Sequence, residues 1–294
     1  MVNTQVVQPN GPQQRPISAE ERSGVLYPEN LQRYGARWFE PGNEAAVAVE
    51  SYWYVRWRLG PTESISQRIL TSPLITLSIE DGDVPAPFVI TGVHRVAWMR
   101  HIRGSGEVFG IRLQPAGLPL LGSLSPEQVA NTTLPITPRA DADLHALLTV
   151  IRAEPDPARR AVVADRVIAA RLASATVSKD LLLANQVVGE LSRRLRARTG
   201  IGLANALGAS ERAIQRALRR AIGHGPKWVS RRVRLQEVAR VLSSRDIVDV
   251  ATLAADLGYA DQAHLVNDFR DAAGVTPGEY VRALRSLGDT RTED

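Results

Sequence analysis

The sequence predicts an α+β protein: a small β-sandwich or barrel, followed by an all-α region in which two helix-turn-helix units are joined by a long helix. Three observations carry that prediction. Between Glu44 and Leu113 apolar and polar residues alternate with the period of two expected of half-buried strands. From Asp141 onward the apolar spacing turns helical and stays so. Near the C-terminus a unit of short helix, glycine turn and second helix occurs twice, about 50 residues apart.

The chain has 294 residues, and domains of roughly 100–200 residues make two the natural count. Hydrophobic residues form 44% and charged residues 23%, the balance of an ordinary globular protein. Cysteine is absent, which excludes disulfides, thiolate zinc sites, iron–sulfur clusters and a cysteine nucleophile. No apolar run is long enough to span a membrane. The N-terminus lacks a basic-then-apolar leader, so the expected location is the cytoplasm.

Residues 1–23 are polar and contain Pro9, Gly11, Pro12 and Pro16, the composition of a disordered tail. The β-rich segment, 24–140, follows. Its first strand alternates Val47, Val49, Trp53, Val55, Trp57 and Leu59 with Glu50, Tyr52, Tyr54, Arg56 and Arg58. Its Trp and Tyr side chains read as core and surface aromatics, with the lining of a ligand pocket as the alternative. Further β-type runs are Leu74–Ile79, Phe88–Val93, Val96–Ile102 and Val108–Leu113, punctuated by Asp81-Gly82-Asp83, Pro85, Pro87 and Gly104-Ser105-Gly106. A helical linker, 141–180, holds two helices that each start at a capping aspartate, Asp141 and Asp156. It serves as connecting structure, a spacer or a dimer contact.

Seven helices are predicted within 181–287, at about 181–197, 200–207, 210–222, 226–243, 247–257, 261–273 and 277–286. Ser210, Asp261 and Thr276-Pro277 supply N-terminal caps, and Gly208, Gly223, Gly258 and Gly274 stand at helix ends. Residues 288–294 form a short tail. In each repeated unit an alanine follows leucine where two helices must cross closely, Leu203-Ala204 and Leu253-Ala254, and a glycine closes the turn.

Charge is segregated along the chain. The formal net charge is +5, but residues 1–182 are neutral, with 18 basic and 18 acidic side chains. Residues 190–245 carry 14 basic and 3 acidic side chains, and residues 246–294 carry 4 and 10. A basic block inside a folded segment suits a polyanionic partner.

The segment Ser210-Glu211-Arg212-Ala213-Ile214-Gln215-Arg216-Ala217-Leu218-Arg219-Arg220, followed by Gly223-His224-Gly225-Pro226-Lys227, resembles the first recognition helix of AraC/XylS transcriptional regulators. Arg234-Leu235 and Ala239 fit that family's linker helix. Ala254, Leu257-Gly258-Tyr259, Phe269, Gly274, Thr276-Pro277 and Tyr280 fit its second unit, so the resemblance covers about residues 183–286. Upstream, Phe109-Gly110-Ile111-Arg112-Leu113-Gln114-Pro115-Ala116-Gly117 is similar to the end of a cupin-like sensor domain. His94 and His101 depart from the closely spaced histidine pair of metal-binding cupins, so neither a metal nor another cofactor is expected.

The resemblance implies a regulator that binds double-stranded promoter DNA and recruits or hinders RNA polymerase. A small-molecule effector or a homodimer contact at the β domain would control it. Arg212, Gln215, Arg216 and Arg219 share one helix face through spacings of three and four. Arginine reads guanine and glutamine reads adenine bidentately. By resemblance Arg212, Gln215 and Arg216 match base-reading positions, whereas Arg219 and Arg220 match phosphate contacts. In the second unit the matching positions are Gln262, Ala263, Val266 and Asn267, with an acidic Asp268 beside them. Lys227, Arg231 and Arg232 on the linker helix are candidate phosphate anchors. The first unit should therefore supply most of the affinity. Two other readings remain: a cupin-like enzyme with an appended helical domain, and an architectural DNA binder without sequence preference.

Overall fold

A computed structural model describes residues 11–197, 202–244 and 248–289. The strands are β1 (Gln13–Arg15), β2 (Tyr34–Glu40), β3 (Val49–Arg58), β4 (Ser64–Ile69), β5 (Thr76–Gly82), β6 (Phe88–Thr91), β7 (Trp98–Arg103), β8 (Ser105–Leu113) and β9 (Thr133–Pro135). Seven form one antiparallel sheet in the order β1-β2-β3-β8-β5-β6-β9, and β4 and β7 pair as a separate ribbon. Short helices α1 (Ala19–Ser23), α2 (Gly117–Leu121) and α3 (Pro126–Val129) flank them, and α4 (Ala142–Arg152) and α5 (Pro157–Ala173) follow. The helical region comprises α6 (Lys179–Arg196), α7 (Leu203–Leu207), α8 (Glu211–Ile222), α9 (Pro226–Ser244), α10 (Val250–Asp256), α11 (Gln262–Ala273) and α12 (Pro277–Asp289). The expected helices at 200–207 and 247–257 begin on residues outside the described ones, and so does most of the tail at 288–294. The α+β order of a β domain followed by a helical region is that expected.

The two faces of the large sheet differ in chemistry. One presents Tyr52, Phe109, Leu77, Ile79, Ile90 and Ile111, all fully buried in the core that Leu144, Leu148 and Ile168 of α4 and α5 complete. Tyr52 donates its hydroxyl to buried Asp165 on α5 at 3.1 Å, and Asp165 also accepts from the Gly42 amide at 2.9 Å. β3, the strand whose alternation predicted one buried face, is thus buried or half-buried on both faces over Val49–Val55, and only Arg56 and Arg58 at its end are exposed. The other face carries Ser51, Trp53, Ser78, Glu80, Thr91 and Arg112, and the β4–β7 ribbon covers part of it through Trp57, Ile65, Ile102 and Val108. Gly110 lies under the Trp53 indole, where a Cβ would fall 2.0 Å from the ring.

The N-terminal segment differs from the expected tail in its described part. Gln13–Arg15 pairs with β2, and Glu21 on α1 accepts both terminal nitrogens of Arg15, at 2.8 and 3.0 Å. This polar stretch is ordered by sheet edge and ion pair, neither of which a composition argument detects.

Long-range polar contacts fix the helical region on the β domain. Asn185 of α6 accepts from the Ala116 amide at 2.9 Å and donates to the Val47 carbonyl at 2.8 Å. The last turn of α11 is capped from outside: Ala97 N–H donates to the Ala272 carbonyl at 2.6 Å, and Arg68 reaches the Gly274 carbonyl at 3.2 Å. Tyr280 of α12 donates to the Ser23 carbonyl at 3.0 Å.

Candidate nucleic-acid interface

The first helix-turn-helix is α7 and α8. Ser210 caps α8 by accepting from the Ala213 amide at 3.2 Å, and Gly223 ends it in the left-handed conformation at φ 78°. Ile214, Ala217, Leu218, Ala221 and Ile222 are buried, against α6 and α9 among others. The opposite face exposes Arg212, Gln215, Arg216, Arg219 and Arg220, which with Glu127 of α3 line an open concavity. The structure brings these five predicted residues together on one solvent-facing surface. Arg216 is held within it: its Nε and Nη2 donate to the two carboxylate oxygens of Asp180 at 2.8 and 3.0 Å. Asp180 sits in the first turn of α6, and the Arg216 guanidinium keeps its carboxyl below the usual range.

The second unit is α10 and α11, with Asp249 and Asp261 as N-caps. Gln262, Ala263 and Asn267 are exposed and Val266 is half-buried. Leu265 is fully buried in the core. Arg270 extends this face, donating to Asn267 Oδ1 at 2.9 Å. Sequence reasoning missed it, although it lies eight residues after Gln262 and so continues the same helical stripe. Asp268 points elsewhere. It accepts from Arg231 Nε at 2.6 Å and from the Tyr259 hydroxyl at 3.0 Å, and Arg234 lies over the Tyr259 ring at 5.0 Å. Burial, reinforced by Asp268, pushes the Tyr259 phenol far up. The acidic residue on the second recognition helix therefore joins it to the linker helix.

The linker positions separate. Lys227 is exposed, whereas Arg231 is committed to Asp268. Arg232 requires a correction. It is 2% exposed, and its guanidinium donates to the Thr71 carbonyl at 2.6 Å and the Thr71 hydroxyl at 3.0 Å, so it faces the β domain and not solvent. Burial among these neutral acceptors lowers its pKa to about 10. Successive residues of a helix point about 100° apart, so Arg231 reaches Asp268 of α11 while Arg232 turns to Thr71 of the β domain.

Residues 203–283 match the family model described as a helix-turn-helix domain. Residues 203–283 are a helix-turn-helix domain of the AraC type. Residues 37–135, most of the β domain, match a domain of unknown function, DUF6597. No curated protein matches the chain. Among solved structures, ToxT from Vibrio cholerae is similar at 10% identity over 79% of this chain and 98% of that one, with a TM-score of 0.41. ToxT from Vibrio cholerae O395 bound to (E)-4-(8-methylnaphthalen-1-yl)but-3-enoic acid gives 10% identity, 79% and 99% coverage and a TM-score of 0.42. The AraC-type domain includes α7 to α11, so both recognition faces lie within the matched residues.

Proposed function

We propose that the chain is a sequence-specific, DNA-binding transcriptional regulator of the AraC/XylS type, with an effector-sensing β domain. The observation that carries this reading is the α8 surface. Five long polar side chains, Arg212, Gln215, Arg216, Arg219 and Arg220, project from a capped helix whose other face is buried, inside a matched helix-turn-helix domain. Such a helix enters the major groove with its first turns toward the bases. Arg212, Gln215 and Arg216 are assigned to bases, Arg219, Arg220 and Lys227 to phosphates, and Gln262, Ala263, Val266 and Asn267 to a secondary readout with Arg270.

For the sensor, a cavity of about 110 Å³ lies beside the polar face of the sheet, lined by Trp53, Trp98, Ser78, Thr91, Arg100 and Arg112 among others. Arg100 is already paired bidentately with buried Glu80, at 2.9 and 2.8 Å. Ser78 and Trp98 are engaged as well, with Glu80 and Thr133, so the buried Trp53 Nε1 is the donor left for a small polar effector. Gln236 of α9 also lines this cavity, so an occupant touches the helix that joins the two reading units. RNA polymerase and a second copy of the chain are proposed partners on the family resemblance alone.

Selection of binding sites from a randomised duplex library tests the reading. A defined motif is expected. Arg216→Ala should cost about 1–3 kcal/mol of binding to it, and Gln262→Ala clearly less. Binding without any sequence preference, or the reverse order of the two variants, overturns it.

A further inference from the structure

The sequence of the basic block does not explain Asp180. A carboxylate beside a surface meant for a polyanion weakens attraction to phosphate. Its pair with Arg216 is open to water, with the two side chains 60% and 20% exposed for Arg216 and Asp180, so it adds little to stability. Its geometry offers a different benefit. A guanidinium has five N–H donors in a rigid plane. Asp180 takes the side edge, Nε and Nη2. That leaves the end edge, formed by Nη1 and the second Nη2 hydrogen, as a free fork of the kind that matches O6 and N7 of guanine.

Asp180 is itself well fixed. It lies two residues after Ser178, which caps α6 by accepting from the Leu181 amide, and α6 is held to the β domain through Asn185. A long arginine on an exposed helix face otherwise samples many rotamers, and ordering it on binding costs free energy. We infer that Asp180 is a specificity-determining positioning residue: its carboxylate clamps the Nε/Nη2 edge of Arg216 and presents the Nη1/Nη2 edge to a guanine. The inference rests on the reading that α8 enters the major groove.

The test is site selection from a randomised DNA duplex library with the full chain and two variants, Arg216→Ala and Asp180→Asn. Asparagine keeps the shape of the side chain but offers one acceptor where the clamp needs two. The expected result is a motif in which Arg216→Ala erases the preference for one guanine. Asp180→Asn should weaken that same preference about tenfold and leave other positions intact. Asp180→Asn that retains the full guanine preference, or that tightens binding to every sequence equally, overturns the clamp while leaving base reading by α8 in place. A wild-type chain that selects no motif overturns both. Thermal melting of Asp180→Asn should match the wild type, since an exposed pair is being removed, and a large drop would make Asp180 a structural residue instead.

Discussion

Arg232→Ala separates a domain latch from a phosphate anchor. In the folded chain the guanidinium makes two well-formed hydrogen bonds to Thr71, at 2.6 and 3.0 Å. Net of the water bonds lost on folding, hydrogen bonds from a charged donor contribute about 1.5–3 kcal/mol each. Burial of the charge, which lowers its pKa to about 10, works the other way, so the arginine gains little over an apolar isostere. Alanine does worse than an isostere, because it leaves the Thr71 carbonyl unpaired and a side-chain-sized gap between α9 and the β domain. The expected loss is about 2–4 kcal/mol for Arg232→Ala and no more than about 2 kcal/mol for volume-conserving Arg232→Met. Urea denaturation measures the loss, and titration of DNA at several salt concentrations measures the charge contacts. A latch lowers the denaturation midpoint and leaves the salt slope alone. If Arg232→Ala reduced the salt slope by about 0.9 with an unchanged midpoint, Arg232 would be a phosphate contact, and the assignment from burial would be refuted.

Two further predictions concern the same junction. Gly274 has φ 74°, and a Cβ there would fall 2.6 Å from Arg68 Nη1, whereas Gly258, at φ 72°, has open space around it. Gly258→Ala should therefore cost only the left-handed strain, about 1–2 kcal/mol, and Gly274→Ala should cost more. Hydrogen exchange should show the last turn of α11 opening more readily in Gly274→Ala alone, and equal effects would count against docking through Arg68. His94 and His224 have lowered pKa values, in both cases chiefly through burial, aided by the charges of Arg232 and Arg95 respectively. Each Nε2 is buried without a hydrogen-bond partner. The folded chain thus binds fewer protons than the unfolded one once pH drops below about 6.5, the ordinary histidine value. Their contribution is present above that pH and is lost as pH falls through the depressed folded values. The denaturation midpoint should decline between pH 7.5 and 5.5, with a shallower slope in a His94→Gln, His224→Gln double variant. Parallel slopes would count against it.

Much of the helix-turn-helix pair was legible in the sequence because it is local. Ser210, Asp261 and Thr276 are caps whose partners lie three residues away, and Gly223 and Gly274 end helices by their own backbone conformation. The stripe Arg212, Gln215, Arg216 and Arg219 follows from 3.6 residues per turn. The spacing that puts Gln262 and Val266 on one stripe reaches Arg270 as well. The polar face of the large sheet was harder to see. Tyr52 and Trp53 are neighbours in sequence, yet one fills the apolar core and the other lines the cavity. An alternation of aromatics does not say which face meets helices and which meets a ribbon.

The amino-acid order, then, determined the caps, turns and exposed basic stripe that make a pair of helix-turn-helix units, because each depends on residues within one or two helical turns. Tertiary structure alone decided what the charged side chains do. Arg232 meets Thr71 across 161 residues, Arg216 meets Asp180 across 36, and Arg231 meets Asp268 across 37. The same residue type thereby becomes a buried latch, a clamped surface side chain or a helix tie. A guanidinium's role is set by the acceptor and the solvent it meets, and no periodicity along the chain encodes either.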